Sequence, residues 1–127
     1  MNNALTLENL NQIAQIIYDK KGFNILVLDV REISNMTDYF IIAEGTVDRH
    51  VKAISHFLED ELAKVNNHPL YVEGQQDGEW VVLDYVNFVV HLFTPELREL
   101  YRLENLWKQG KIVDITINTS APEIKKF

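Results

Sequence analysis

Apolar residues recur along the chain with two different periods, and each period predicts its own kind of element. In the first twenty residues they return every three or four positions, which is the spacing of one helical face. The same spacing returns between Val47 and Val65. We therefore predict two amphipathic helices. The first begins at Thr6 and ends before Gly22, and the second is capped by Thr46 or Asp48.

Short apolar runs rich in β-branched residues lie between and after these helices, and they predict strands. The runs at 24–30 and 38–43 are almost continuously apolar, which is typical of central strands covered on both faces. Three further strands are predicted at 70–73, 80–85 and 88–93. The pair Asp77-Gly78 predicts a tight hairpin between the first two of these.

A last helix is predicted to begin at Thr94-Pro95-Glu96, where a hydroxyl can cap the first turn and proline occupies the first helical position. Leucines at three-residue spacing, ending at Leu106 or Trp107, extend it over about three turns. The order of elements predicts a layered α/β domain at 1–107, with one mixed five-stranded sheet flanked by helices. Residues 108–127 form a C-terminal extension that either adds a strand or is mobile.

Composition and charge narrow the classes of function. The chain has 127 residues, 46% of them hydrophobic, which suits a single packed core. Its net charge of −7 disfavours direct contact with nucleic acid. There is no cysteine, so disulfides and thiolate chemistry are excluded. Without a basic and apolar leader or a run long enough to span a bilayer, we expect a cytoplasmic protein with no membrane contact.

Residues that could support catalysis or bind a cofactor are scattered. His50 and His56 lie six positions apart on the second helix and point in different directions, so they cannot chelate one metal. The serines and glycines match no nucleophile elbow and no phosphate-binding loop. We therefore predict no cofactor and no metal.

Nucleotidyl transfer is the enzyme reaction that the sequence comes nearest to supporting. Gly45-Thr46 weakly resembles a loop that holds phosphates at the end of a strand. The paired carboxylates that would bind Mg²⁺ are missing, because Asp77 and Glu79 flank a hairpin glycine rather than lying on a strand. The sequence leaves open whether three other carboxylates meet in space, those of Asp29, Asp38 and Asp84.

A recognition surface is the remaining class of site. Residues 74–85 combine aromatic and acidic side chains on a predicted hairpin, which is the composition of an interface anchor with a charged rim. An acidic rim favours a basic partner. The alternative is that Trp80 and Tyr85 lie in the core.

Seven blocks in order identify the chain as similar to the ribosomal silencing factor (RsfS/Iojap) family, over about residues 5–107. They are Leu28-Asp29-Val30, Thr37–Thr46, Asp48–Ile54, Val72-Glu73-Gly74, Glu79–Tyr85, Val89–Phe93 and Leu103-Glu104-x-Leu106-Trp107. The chain departs from the family pattern after Tyr85, where Val86-Asn87 replaces the usual Gly-Asp.

The resemblance implies a non-enzymatic factor. Such a factor binds ribosomal protein fourteen of the large ribosomal subunit on the intersubunit face, blocks association with the small subunit and represses translation. It also implies a fold similar to nucleotidyltransferases without their catalytic set, and a homodimer when free. The partner-binding residues that it implies are Asp38, Tyr39, Glu73, Gly74, Trp80, Leu83, Asp84, Tyr85 and His91.

Two alternatives stay open beside this hypothesis. One is a Mg²⁺-dependent nucleotidyltransferase, and the other is a dimeric adaptor with no ribosomal role. The excess of negative charge favours the ribosomal hypothesis, because it lies in residues 29–48 and 73–104, which contain most of the family blocks. The sequence thus predicts an acidic face directed at a basic protein.

Overall fold

The computed structural model describes residues 5–106 and 108–119, which fold around one six-stranded sheet. Trp107 and residues 120–127, with their predicted roles, lie outside the described residues. The helices are α1 (Leu7–Asp19), α2 (Asp48–Ala63), α3 (Pro95–Tyr101) and α4 (Leu103–Leu106). The strands are β1 (Phe23–Asp29), β2 (Tyr39–Glu44), β3 (Tyr71–Glu73), β4 (Trp80–Asp84), β5 (Phe88–Phe93) and β6 (Lys111–Ile112).

The sheet has the order β3-β4-β5-β2-β1-β6. Only the central pair, β2 and β5, is parallel, and the other four pairs of neighbours are antiparallel. A mixed sheet flanked by helices is therefore confirmed. The five strands predicted within residues 1–107 are present, and β6, from the C-terminal extension, adds a sixth by pairing with β1 through two exposed residues.

The two predicted central strands differ in burial. All six residues of β2 are buried, as predicted. In β1 only Val27 and Leu28 are buried, because its outer neighbour is the short β6. The strand beside β2 on its other side is β5, which comes much later in the chain.

Helices α1 and α2 pack on the same face of the sheet, as their apolar spacing predicts. Leu10, Ile17, Ile54 and Leu58 are at most 2% exposed and share one core with the sheet residues. Thr6 caps α1 through a reciprocal pair of hydrogen bonds with Asn9. Among the described residues no helix is long and apolar enough to cross a membrane.

The predicted cap of α2 was wrong. Val47 occupies the N-cap position and makes no side-chain cap bond. The imidazole of His50 lies nearby, and its Nδ1 accepts a hydrogen bond from the backbone N–H of Thr46 at 2.9 Å. His50 Nε2 lies 2.9 Å from the carbonyl oxygen of Lys20 at the end of α1. This histidine joins the two helices, a role that helix-cap preferences do not reveal.

The predicted three-turn helix at the C-terminal end is interrupted. Arg102 adopts a left-handed conformation with φ +46° and separates α3 from α4. Leu100, part of the predicted apolar stripe, is 70% exposed. The break instead brings Leu103 into a second core cluster with Leu28, Phe40 and Phe93. Thr94 stands at the N-cap position of α3, but its hydroxyl makes no cap bond.

The chain continues from β6 along α1. The N–H of Val113 donates to the carbonyl of Val27 at 2.9 Å, and Val113 and Ile115 pack against the core. Asn118 and Gln15 exchange two hydrogen bonds, from the backbone N–H of Asn118 to Gln15 Oε1 and from Gln15 Nε2 to the carbonyl of Asn118. The added strand anticipated for this extension is present at Lys111–Ile112.

Candidate functional site

The sheet face opposite α1 and α2 is partly uncovered over β3, β4 and β5. Tyr71 and Glu73 are exposed there, whereas Val82, Asp84 and Val89 are half-buried. We call this surface the open face and define it by the alternating residues that the strand register places side by side. They are Tyr71, Glu73, Trp80, Val82, Asp84, Val89 and His91.

Strand alternation divides the predicted partner-binding residues between the two faces of the sheet. Four of them lie on the open face, namely Glu73, Trp80, Asp84 and His91. Three belong to the core under α1 and α2 and are at most 7% exposed, namely Tyr39, Leu83 and Tyr85. Asp38 lies directly before β2 and Gly74 directly after β3. The predicted set therefore does not form one continuous surface.

Trp80 and His91 form the centre of the open face. The indole Nε1 of Trp80 donates a hydrogen bond of 3.0 Å to His91 Nδ1. The Phe40 ring packs edge-on against the imidazole, with the two ring centroids 5.4 Å apart. Burial among these rings lowers the pKa of His91 to about 4, so the imidazole is neutral at pH 7.

Two more aromatic rings extend this centre. The Trp80 ring lies 4.9 Å from the centroids of both Phe93 and Tyr101. Tyr101, at the end of α3, is 51% exposed and was missing from the predicted site. Because it comes from a different element, only the tertiary fold reveals it. Val82 was also absent from the predicted site. It could have been predicted, since alternation along the strand places it on the same face as Trp80 and Asp84.

Two acidic residues, Glu73 and Asp84, lie on the open face together with the aromatic residues. Glu73 is exposed and stands opposite Val82 in the β3–β4 register. Asp84 is half-buried, and its Oδ1 accepts a hydrogen bond of 2.8 Å from the N–H of Val86. No strand position of the open face carries lysine or arginine. The surface therefore combines an aromatic centre with a negative rim, the pattern expected of a site for a basic protein.

The backbone of Gly74 packs closely against the backbone of Trp80. It has φ +87°, and a Cβ placed on it would lie 2.0 Å from the carbonyl oxygen of Trp80. The connection between β3 and β4 spans residues 74–79, so the hairpin is confirmed but the tight turn at Asp77-Gly78 was wrong. Gln75 fixes this loop to α2 by donating from Nε2 to Ser55 Oγ and Glu59 Oε1.

The hairpin between β4 and β5 contains the departure from the family pattern. Val86 has φ +75°, and the N–H of Asn87 donates to the carbonyl of Tyr85 at 2.9 Å. A hydrogen bond across two residues with this φ is characteristic of the strained classic γ-turn. The glycine that the resemblance leads us to expect at this position would adopt this conformation without strain. Val86 preserves the turn, and its side chain is 53% exposed.

Tyr85 is enclosed on the core side of this hairpin. Its ring stacks on Phe88 with centroids 4.7 Å apart, and no described residue forms a hydrogen bond with its hydroxyl oxygen, which is buried. Burial, together with the charge of Glu59, raises the pKa of Tyr85. Its phenol is therefore a protonated, structural group.

The three carboxylates that the sequence left open for catalysis do not form a cluster. Asp29 is paired with Arg31 at 2.7 Å, and the hydrogen bond from Arg31 lowers the pKa of that carboxyl. Across residues 5–106 and 108–119, no group of three or more acidic or histidine side chains could hold a metal ion. A cavity of about 530 Å³ between β1 and the α3–α4 segment is lined by the ion pair of Arg98 with Glu44.

Known proteins resemble this chain over most of its length. The family model described as "Ribosomal silencing factor during starvation" matches residues 3–126. The ribosomal silencing factor RsfS of Bacillus subtilis is 35% identical over 97 residues, which cover 76% of this chain and 82% of that protein.

Two further matches come from a longer protein and from a solved structure. The mouse protein "Mitochondrial assembly of ribosomal large subunit protein 1" is 32% identical over 102 residues, 78% of this chain but only 45% of the mouse protein. A crystal structure of a Chromobacterium violaceum protein superposes with a TM-score of 0.77 at 27% identity, covering 93% of this chain and 98% of that one.

Proposed function

The chain belongs to the family of ribosomal silencing factors, whose function is ribosome-associated regulation of translation, and from this membership we propose a specific mode of action. It binds the large ribosomal subunit through ribosomal protein fourteen on the intersubunit face. Its bulk then excludes the small subunit and so represses translation. The chain makes and breaks no covalent bond in this process.

The observation that supports the proposal most strongly is the composition of the open face. A half-buried tryptophan lies at its centre, flanked by the exposed Tyr101, and interface energy concentrates in such aromatic anchors. Glu73 and Asp84 add negative charge at the rim, which suits the basic proteins found on an RNA-rich particle.

The proposal divides the nine predicted partner-binding residues into two roles. Glu73, Trp80, Asp84 and His91 contact the partner from the open face, and Asp38 lies at the end of that face. Tyr39, Gly74, Leu83 and Tyr85 support the sheet from behind or beside it. This division follows from the face of the sheet on which each side chain lies, since a side chain enclosed under α1 and α2 cannot reach a partner without unfolding.

The experiment that tests the proposal measures cosedimentation with purified large ribosomal subunits, together with joining of the two subunits. Trp80→Ala should weaken binding about thirtyfold, or roughly 2 kcal/mol, and should relieve the block on joining. Val65→Ala is the matched control, because Val65 is 72% exposed on the helix side of the molecule. A wild-type chain that neither sediments with large subunits nor slows joining would overturn the proposal.

We also propose that the free chain is a homodimer that uses the open face. Partner binding then requires dissociation of the dimer, so the apparent affinity for large subunits falls as the protein concentration rises. Sedimentation equilibrium of the wild type and Trp80→Ala tests this, since the variant should be more monomeric. Affinity that does not change with concentration would contradict an overlap of the two surfaces.

A further inference from the structure

We infer that His91 is the hydrogen-bond donor at the centre of the open face, and that the partner segment seated there presents an uncharged oxygen to it between basic side chains. The inference rests on the proposed partner-binding function and specifies the chemistry of the same site. Its first support is geometric, since the hydrogen bond from Trp80 fixes which nitrogen of His91 carries the proton.

An indole Nε1–H can only donate. Because it lies 3.0 Å from His91 Nδ1, that nitrogen must be the acceptor. A neutral imidazole with an unprotonated Nδ1 carries its proton on Nε2. The depressed pKa of His91 agrees with a neutral ring at pH 7. The hydrogen bond from Trp80 thus fixes the tautomer of His91 in which Nε2 is the hydrogen-bond donor.

This Nε2–H has no partner within the part of the chain that the structure describes. The aromatic rings that contact the imidazole are those of Phe40, Trp80 and Phe93, and none of these three side chains carries a hydrogen-bond acceptor. His91 as a whole is only 8% exposed, yet Nε2 is not among the fully buried unpaired atoms of the described residues. Its donor therefore remains accessible from solvent at the bottom of the open face.

A partner that covers the open face removes water from this donor. Leaving it unpaired would then cost binding free energy, so a bound partner must supply an acceptor. The negative rim selects the kind of acceptor, because Glu73 and Asp84 repel a carboxylate or a phosphate. A backbone carbonyl, a side-chain amide or a hydroxyl oxygen, flanked by lysine or arginine, satisfies both conditions.

The protonation state can be tested on the free protein by ¹⁵N NMR of the imidazole nitrogens. We expect His91 Nε2 to carry the proton and Nδ1 to have the shift of an unprotonated nitrogen. Trp80→Phe keeps an aromatic ring but removes the donor, so the two tautomers should then both be populated. A proton on Nδ1 in the wild type would overturn the inference whether or not the chain binds ribosomes.

The role in recognition is tested by two substitutions that mimic the two ring nitrogens. In His91→Asn the amide oxygen takes the place of Nδ1 and can accept from Trp80, but nothing replaces the Nε2 donor. In His91→Gln the longer amide reaches the place of Nε2 and can donate. Cosedimentation with large subunits should weaken about five- to tenfold for His91→Asn and less for His91→Gln.

The outcomes of this test separate the inference from the proposed function. Equal binding by wild type and a folded His91→Asn would overturn the inference and leave the proposed function intact. If His91→Asn does not fold, full binding by a folded His91→Phe overturns the inference instead. If the wild type does not sediment with large subunits, both the inference about His91 and the proposed function are overturned. Competition by protein-free large-subunit RNA as strong as by intact subunits would contradict an uncharged acceptor.

Discussion

The hydroxyl of Thr37 donates a hydrogen bond of 2.9 Å to the carbonyl oxygen of Val86. This contact fastens the tip of the β4–β5 hairpin to the loop before β2, and the N–H of Asp38 adds a second bond to the carbonyl of Asn87 at 3.2 Å. The hairpin tip is therefore fixed from outside while Val86 has φ +75°. A β-branched residue rarely adopts this conformation, so the tertiary contacts maintain local strain.

Val86→Gly should relieve that strain. A left-handed φ costs a non-glycine residue about 1–3 kcal/mol, and glycine offsets part of the gain through its greater freedom in the unfolded chain, by about 0.5–1 kcal/mol. We expect the free energy of unfolding in urea to rise by about 1 kcal/mol. Val86→Ala keeps a Cβ and should gain less than glycine. A glycine variant less stable than the wild type would show that the turn is unstrained.

Tyr85→Phe should show whether Tyr85 has a structural role in the core or contacts the partner. The Tyr85 hydroxyl is buried and unpaired among the described residues, so its removal should leave stability unchanged or raise it by up to about 1 kcal/mol. Cosedimentation with large subunits should not change, because the ring lies on the core side. Tyr85→Ala, by contrast, should destabilise the fold by about 3 kcal/mol or more by leaving a cavity. Weaker binding by a stable Tyr85→Phe would place the hydroxyl in the interface.

The sequence predicted those elements whose apolar period is determined locally. The spacing of Leu10 and Ile17 in α1 and of Ile54 and Leu58 in α2 shows which side of each helix meets the sheet. The break at Arg102 could not be predicted in this way. Arg102 adopts a left-handed conformation there, and the next residue, Leu103, packs into a core cluster built from distant strands.

The sequence predicted which segment of the chain contains the candidate site, but not which of its side chains face the partner. Residues 80–85 combine aromatic and acidic side chains, but alternation divides them, with Trp80 and Asp84 on the open face and Leu83 in the core. The period of two along a strand is by itself enough to separate these two roles. The contact with Tyr101 and the hydrogen bond to His91 depend on how β5 and α3 are placed, and no local pattern specifies them.

Stability should depend on pH through His91. Its pKa is about 4 in the folded chain against an ordinary value of 6.5, so the unfolded chain binds this proton more tightly. The stabilisation is therefore complete above pH 6.5 and is lost as the pH falls towards 4. Between pH 7 and 4.5 the wild type should lose roughly 2 kcal/mol more than His91→Gln, measured by urea unfolding. Carboxylate titration affects the stability of both proteins equally, so it drops out of the comparison. Equal losses of stability would show that His91 titrates normally when folded.

Arg98 should be far more important for stability than its neighbour Arg102. Its side chain is only 11% exposed, and NH1 donates to the carbonyl of Asn24 and lies 3.2 Å from Glu44 Oε2. Its Nε lies 3.5 Å from a carboxylate oxygen of Glu104. Arg98→Met would leave two carboxylates without their shared cation, one of them nearly buried, and should cost about 3 kcal/mol or more in urea unfolding.

Two companion variants make the Arg98 prediction specific to charge. Arg102 is paired with Glu99 at the surface, so Arg102→Met should cost less than about 1 kcal/mol. Glu44→Gln added to Arg98→Met should recover part of the loss, because it removes the nearly buried charge that the first substitution leaves uncompensated. If Arg98→Met and Arg102→Met cost the same, or if Glu44→Gln recovers nothing, the buried ion pair does not stabilise the α3–β2 contact.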